Sequence, residues 1–136
     1  MIVVDASVIV DFLLGRESTI RAVEDAVDGD SYGHLHAPEL VEPEALNALR
    51  RLARSGAIEE RRADVAVLDL GSLPLVRWPH AVLRDRAWAL RDELTAYDAT
   101  YLALAEALPA TLLTGDDGLA LRARRTLGPE RVLLVA

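Results

Sequence analysis

Four acidic residues carry the types and positions from which chemistry could be built. Asp5 follows the apolar run Ile2-Val3-Val4, and Glu44 lies early in a long helical pattern. Asp98 opens a late helical segment, and Asp116 comes just after the run Leu112-Leu113-Thr114. Each has a plain structural role available to it. Asp5 and Asp116 suit helix N-caps, Glu44 suits a first turn beside the positive end of the helix dipole, and Thr95 with Asp98 has capping-box spacing. Thr114 with Asp117 has the same spacing. The joint pattern asks for more. Clustered carboxylates repel unless a cation fills the gap or some of them are protonated. The chain has no cysteine, and its three histidines, His34, His36 and His80, are scattered. A donor set made of hard oxygens suits Mg²⁺ or Mn²⁺ rather than zinc.

The elements that must position these residues follow from hydrophobic periodicity and its breakers. Strands are predicted at Ile2 to Val4, Leu35 to Ala37, Leu75 to Trp78, Thr111 to Thr114 and Val132 to Val135. Helices are predicted at Ser7 to Leu14, from a Ser18 cap to about Val27, and from about Leu40 to Ser55. Further helices are expected at Glu59 to Leu70 (closed by Gly71), Ala81 to Glu93, Tyr97 to Leu108 and Asp117 to Arg125. Short apolar strands alternating with longer helices indicate an α/β fold with a mainly parallel sheet covered on both faces. Ligands in such sheets sit beyond the carboxyl ends of the strands. Asp5 and Asp116 both stand there.

With 136 residues and no repeat, low-complexity tract or linker, the chain reads as a single domain, 1–136. No apolar run approaches the ~20 residues of a membrane span, and no signal peptide precedes the first strand. A soluble, cytoplasmic protein is expected. The net charge is −7, and all 15 basic residues are arginine. That sign argues against coating nucleic acid by bulk electrostatics, but arginine forks can still make a locally basic groove. The absence of lysine excludes a lysine nucleophile, a Schiff base and a P-loop.

Several segments resemble the VapC-type PIN domains. Met1-Ile2-Val3-Val4-Asp5-Ala6-Ser7-Val8-Ile9-Val10 is similar to their opening, and Tyr97-Asp98-Ala99-Thr100-Tyr101-Leu102-Ala103-Leu104-Ala105-Glu106 to their most distinctive stretch. Leu112-Leu113-Thr114-Gly115-Asp116 resembles the closing Thr-x-Asp motif, and Ala37-Pro38-Glu39-Leu40 with Glu44 to Leu49 the Pro…Glu…Asn helix. The likeness spans nearly the whole chain, in order. It implies a PIN-like fold in which Asp5, Glu44, Asp98 and Asp116 form a catalytic, metal-binding quartet. Ser7, Asn47 and Thr114 would then orient carboxylates or waters by hydrogen bonds. Glu42 competes with Glu44, because Pro43 immediately before Glu44 demands either a later helix start or a kink.

The resemblance further implies a toxin of a VapBC toxin–antitoxin pair, a Mg²⁺-dependent ribonuclease that hydrolyses RNA phosphodiester bonds. It implies a VapB-like antitoxin on the helices from about Leu40 to Leu70, and a homodimer. Arg122, Arg124 and Arg125 are candidate RNA contacts, although arginines at a helix C-terminus also suit the dipole. Trp78, Trp88 and Tyr101 are expected in the core or an interface rather than as base-stacking platforms. A catalytically silent PIN-like binding module is the alternative. A HAD-like phosphatase fits less well, since Asp5-Ala6-Ser7 lacks that family's second aspartate. A response-regulator receiver would need the lysine this chain does not have.

Overall fold

The computed structural model describes residues 1–31 and 33–136. In chain order the elements are β1 (Ile2–Val4), α1 (Ala6–Leu13), α2 (Glu17–Asp28), β2 (Leu35–Pro38), α3 (Val41–Arg54) and α4 (Glu60–Ser72). There follow β3 (Leu75–Trp78), α5 (Arg84–Ala89), α6 (Ala96–Ala107), β4 (Thr111–Thr114), α7 (Asp117–Leu127) and β5 (Val132–Leu134). The five strands form one sheet in the order β3-β2-β1-β4-β5, and every pairing is parallel. Wholly parallel pairing requires crossovers, and the helices supply them on both faces.

Alternation along the strands divides the core in two. Ile2 and Val4 face one way and pack with Val8, Leu49, Ala66 and Leu70 from α1, α3 and α4. Val3 faces the other way, toward Leu102, Leu119 and Ala123 from α6 and α7. Successive strand side chains point to opposite faces, so a three-residue strand contributes to both layers. The chain leaves β1 toward β2 on one side and returns to β4 on the other, which makes the β1–β4 boundary the topological switch point. That crevice is where open parallel sheets take ligands.

Several boundaries differ from the sequence expectation. Ser18 does not cap α2: its hydroxyl donates to the Ala136 carbonyl at 2.7 Å, and Arg16 occupies the cap position with no capping hydrogen bond from its side chain. Helix α4 runs through Gly71 to Ser72 and stops where Leu73, immediately before Pro74, turns extended. The expected Ala81 to Glu93 helix shrinks to α5, with a 3₁₀ turn at His80–Val82 before it and turns after it. Bonds from Leu90 to Ala87 and from Arg91 to Trp88 tighten the chain there, and Leu83, Leu90 and Leu94 are all buried. Pro43 needs neither a later start nor a kink. It is the third residue of α3, inside the first turn, where a missing N–H costs nothing. Among the described residues no helix is long and apolar enough to cross a membrane.

Candidate active site

Asp5 is placed by two effects at once. Its backbone N–H continues the ladder by donating to the Leu113 carbonyl at 3.2 Å, and its side chain caps α1 by accepting the Val8 N–H at 3.1 Å. The Ser7 hydroxyl donates to Oδ1 at 2.5 Å, and the Thr114 hydroxyl donates to Oδ2. Burial pushes the Asp5 carboxyl above its usual range, against the pull of these hydrogen bonds, and the charge of Asp116 adds to the rise.

The end of β4 is tied to the same point. The Gly115 N–H donates to Ser7 Oγ at 2.9 Å, and the Asp116 N–H to Thr114 Oγ1 at 3.0 Å. A Cβ on Gly115 would stand 2.9 Å from Ser7 Oγ, so this close approach requires glycine. Asp116 caps α7, accepting the Leu119 N–H at 2.8 Å. Thr114 therefore serves Asp5 and Asp116 rather than a capping box with Asp117.

Two helices bring the other carboxylates. Glu44 lies in the first turn of α3 and accepts the Tyr101 hydroxyl at 2.7 Å. The same hydroxyl receives the Ala6 N–H, which is otherwise an orphan donor at the start of α1. Burial and then the Glu44 contact drive the Tyr101 phenol far above its ordinary value, so it stays a neutral donor. Asp98 lies in the first turn of α6, whose cap Thr95 accepts the Asp98 N–H at 3.2 Å. Burial raises the Asp98 carboxyl, as do the charges of Asp116, Glu44 and Asp5, while Arg122 opposes them.

All four carboxylates line one cleft of about 280 Å³, together with Ser7, Ala48, Arg51 and Tyr101. Glu42 is not among them. It pairs with Arg77 of β3 on the other side of the helix start, so Glu44 is the glutamate that faces the cleft. Asn47 points into an adjoining hollow with Leu40, Pro43, Glu44 and Tyr97. Arg122 is near enough for its charge to act on Asp98, whereas Arg124 and Arg125 lie in the last turn of α7, further along the helix. His36 is buried and accepts the Trp78 indole N–H at 3.1 Å; His80 accepts the Leu40 N–H at 2.9 Å. Among the described residues, no three acidic or imidazole groups are gathered closely enough to hold a metal ion directly. The cleft is an open ring of oxygens.

The PIN-domain profile matches residues 2–125. Ribonuclease VapC9 of Mycobacterium tuberculosis is 42% identical over 121 residues, covering 85% of this chain and 86% of the relative. Ribonuclease VapC1 of the same organism is 40% identical over 119 residues, covering 87% of each. The chain belongs to the VapC family of PIN domains. A crystal structure of PAE2754 from Pyrobaculum aerophilum agrees in fold, with a TM-score of 0.64 at 25% identity over 89% of this chain and 78% of that one.

Two residues of this VapC-family cleft escaped the sequence reading. Arg51 lies two turns beyond Glu44 on α3, with Ala48 between them, and spacing of four and seven puts all three on one face. Tyr101 is buried like the core residue it was expected to be, yet its hydroxyl reaches the site. It stands three residues beyond Asp98, one turn along α6, which is the signal that could have flagged it.

Proposed function

We propose that the acidic cleft hydrolyses RNA phosphodiester bonds with the help of a divalent cation, Mg²⁺ or Mn²⁺, and that the chain is the toxin of a VapBC pair. The observation that carries this reading is the convergence of Asp5, Glu44, Asp98 and Asp116 on one cleft at the sheet's switch point. The donor set fits a hard cation. It is all oxygen, and two of its members hold protons more tightly than usual because of burial and mutual charge. Mg²⁺ keeps several of its waters, which suits carboxylates spaced around an open ring. Asp5, Glu44, Asp98 and Asp116 would hold the cation, which when bound lowers the pKa of a water and offsets charge on the phosphate.

The chain's own residues do the rest. Ser7 and Thr114 fix both oxygens of Asp5, so its carboxylate meets substrate in one orientation. Tyr101 holds Glu44 in the same way. Arg51, and Arg122 at the rim, supply positive charge to a phosphate that would otherwise be repelled. Arg124 and Arg125 extend that charge along α7. Asn47 serves the hollow beside Glu44, where it can donate to a nucleotide rather than to a carboxylate.

The antitoxin reading rests on the family and on the α3–α4 surface. Leu46, Val65, Val67 and Leu68 are exposed there, and a shallow groove of about 370 Å³ runs between the helices. An amphipathic helix fits such a groove. A cytoplasmic location goes with that pairing, and the homodimer implied by the family is tested by light scattering.

The deciding experiment incubates purified protein with pooled cellular RNA in Mg²⁺, in Mn²⁺ and in EDTA, alongside Asp5→Asn and Asp98→Asn. Cutting that needs the metal and is abolished by both substitutions is expected. Cutting in no metal, or equal cutting by the variants, would leave a catalytically silent binding module.

A further inference from the structure

Helix α3 carries Glu44 into the acidic cleft, yet it lacks a cap of its own. Its cap residue is Leu40, whose side chain makes no capping hydrogen bond. In a capping box the third helical residue would reach back to the cap residue's backbone N–H, but here that residue is Pro43, which has no acceptor to offer. The acceptor comes instead from the end of β3, where His80 Nε2 takes the Leu40 N–H at 2.9 Å. The other helices that bring carboxylates to the cleft differ. Helices α1, α6 and α7 are capped from their own sequence, by Asp5, Thr95 and Asp116.

The register of the sheet delivers His80 to this position. Parallel pairing of β2 with β3 keeps one offset, from Leu35 opposite Leu75 to Pro38 opposite Trp78. One step past the strands the Glu39 N–H still donates to the Trp78 carbonyl, at 2.9 Å, and the Trp78 indole N–H is anchored on His36 Nδ1 at 3.1 Å. At the next step Leu40 opens α3 and His80 opens the 3₁₀ turn, and the imidazole supplies the acceptor at the same offset of 40 residues. Arg77, also of β3, takes Glu42, so the first turn of α3 is tied to that strand on one side and leaves Glu44 to the cleft.

We propose that His80 is a positioning residue for cleavage: by capping α3 it fixes how Glu44 enters the acidic cleft. This rests on the nuclease reading given above. The path is short. The Leu40 carbonyl accepts the Glu44 N–H at 3.2 Å, so the residue that His80 holds by its N–H holds Glu44 by its carbonyl. The Glu44 carboxylate is in turn held by the Tyr101 hydroxyl. Glu44 is thus gripped at its backbone from β3 and at its side chain from α6. A nitrogen that accepts carries no proton, so the bond needs a neutral imidazole with its proton on Nδ1. A glutamine carbonyl can accept in its place, and an apolar side chain cannot.

The test compares His80→Leu, which removes the acceptor, with His80→Gln, which keeps one, in the full chain. Hydrogen exchange of the metal-free proteins, read by mass spectrometry, should speed up about fivefold at the start of α3 in His80→Leu, the loss expected of one cap, and not at the start of α7. Mn²⁺ titrated into the same variant by calorimetry should bind about 10-fold more weakly, the loss typical of a residue that orients a ligand. In Mg²⁺, kcat should fall while KM for RNA stays within about twofold of the wild type. His80→Gln should recover exchange, Mn²⁺ affinity and cleavage together. Unchanged exchange in His80→Leu, or faster exchange with wild-type Mn²⁺ affinity and cleavage, would overturn the proposal and leave the nuclease intact. A glutamine variant as impaired as the leucine one would do the same, because the acceptor would then not matter. Wild-type protein that cuts in no metal, with exchange at α3 still restored by glutamine, would overturn the nuclease reading and leave His80 only a cap.

Discussion

Three of the four carboxylates in the acidic cleft are fixed by hydrogen bonds from strand ends, helix caps or a buried phenol, whereas Trp88 and Tyr97, which line a neighbouring groove between α5 and the start of α6, stand largely in solvent. The two regions share the N-terminal end of α6, yet they are held in opposite ways. Like charges drift apart unless the frame behind them prevents it, so the cleft needs β1, β4 and the starts of α1, α3 and α7 to keep its shape. The rings of Trp88 and Tyr97 carry no like charges to hold together, so short helix α5 and a few turns suffice to carry them. Stability is given up for function in only one of the two regions. It is given up in the cleft, where burial and repulsion raise two carboxyls, and not in the groove.

Asp98→Asn removes one of the charges that strain the cleft and should have the largest effect. Cleavage should fall by about 100-fold or more, in line with removal of a preorganised charged group from a reaction centre. The metal-free variant should at the same time melt higher than the wild type, by roughly 2 °C, because a neutral amide escapes burial and the repulsion of Asp116, Glu44 and Asp5. Calorimetry in EDTA decides it. A lower melting temperature would mean that the charge is stabilising and that the cleft is not the strained region.

A smaller effect concerns pH. Asp5 and Asp98 both hold protons more tightly folded than unfolded, where their ordinary value is 3.8. Their stabilising contribution is therefore complete below that value and is lost as pH rises through the folded values. Metal-free protein should thus lose stability from these groups as pH rises above 3.8. Mg²⁺ or Mn²⁺ should raise the melting temperature more at about pH 8 than at about pH 4, where protons compete for the same oxygens. Equal gains at both pH values would place the ion elsewhere.

How much of this was legible depends on the element. Asp5 and Asp116 could be read as a pair because each follows a short apolar run, and in a parallel sheet the residue after the strand is where ligands gather. The strand order could not be read, and it is the order that sets β1 beside β4 and closes Ser7, Thr114 and Gly115 around Asp5. The choice between Glu42 and Glu44 was equally closed to periodicity. It is made by Arg77, which comes from a strand 35 residues away and takes Glu42. The fragmentation of the Ala81 to Glu93 helix was also hidden, since three leucines at helical spacing serve a broken segment as well as a continuous one. The PIN-like order of motifs was visible throughout; the aromatic groove that this broken segment forms was not.

Tyr101→Phe gives the smallest and most discriminating effect. Its hydroxyl donates to Glu44 and accepts from the Ala6 N–H, so deletion frees one carboxylate and leaves one helix-start donor without its partner. Glu44 is only half-buried and can turn to water, so the stability cost should be about 1 kcal/mol rather than that of a fully buried charge. Cleavage should fall by less than about 10-fold, since the carboxylate remains and only its orientation is loosened. Chemical denaturation and steady-state kinetics on the same preparation separate the two losses. If cleavage instead fell as far as in Asp98→Asn, the phenol itself would have to meet the reacting phosphate, and the cleft would owe its selectivity to a neutral donor as well as to its carboxylates.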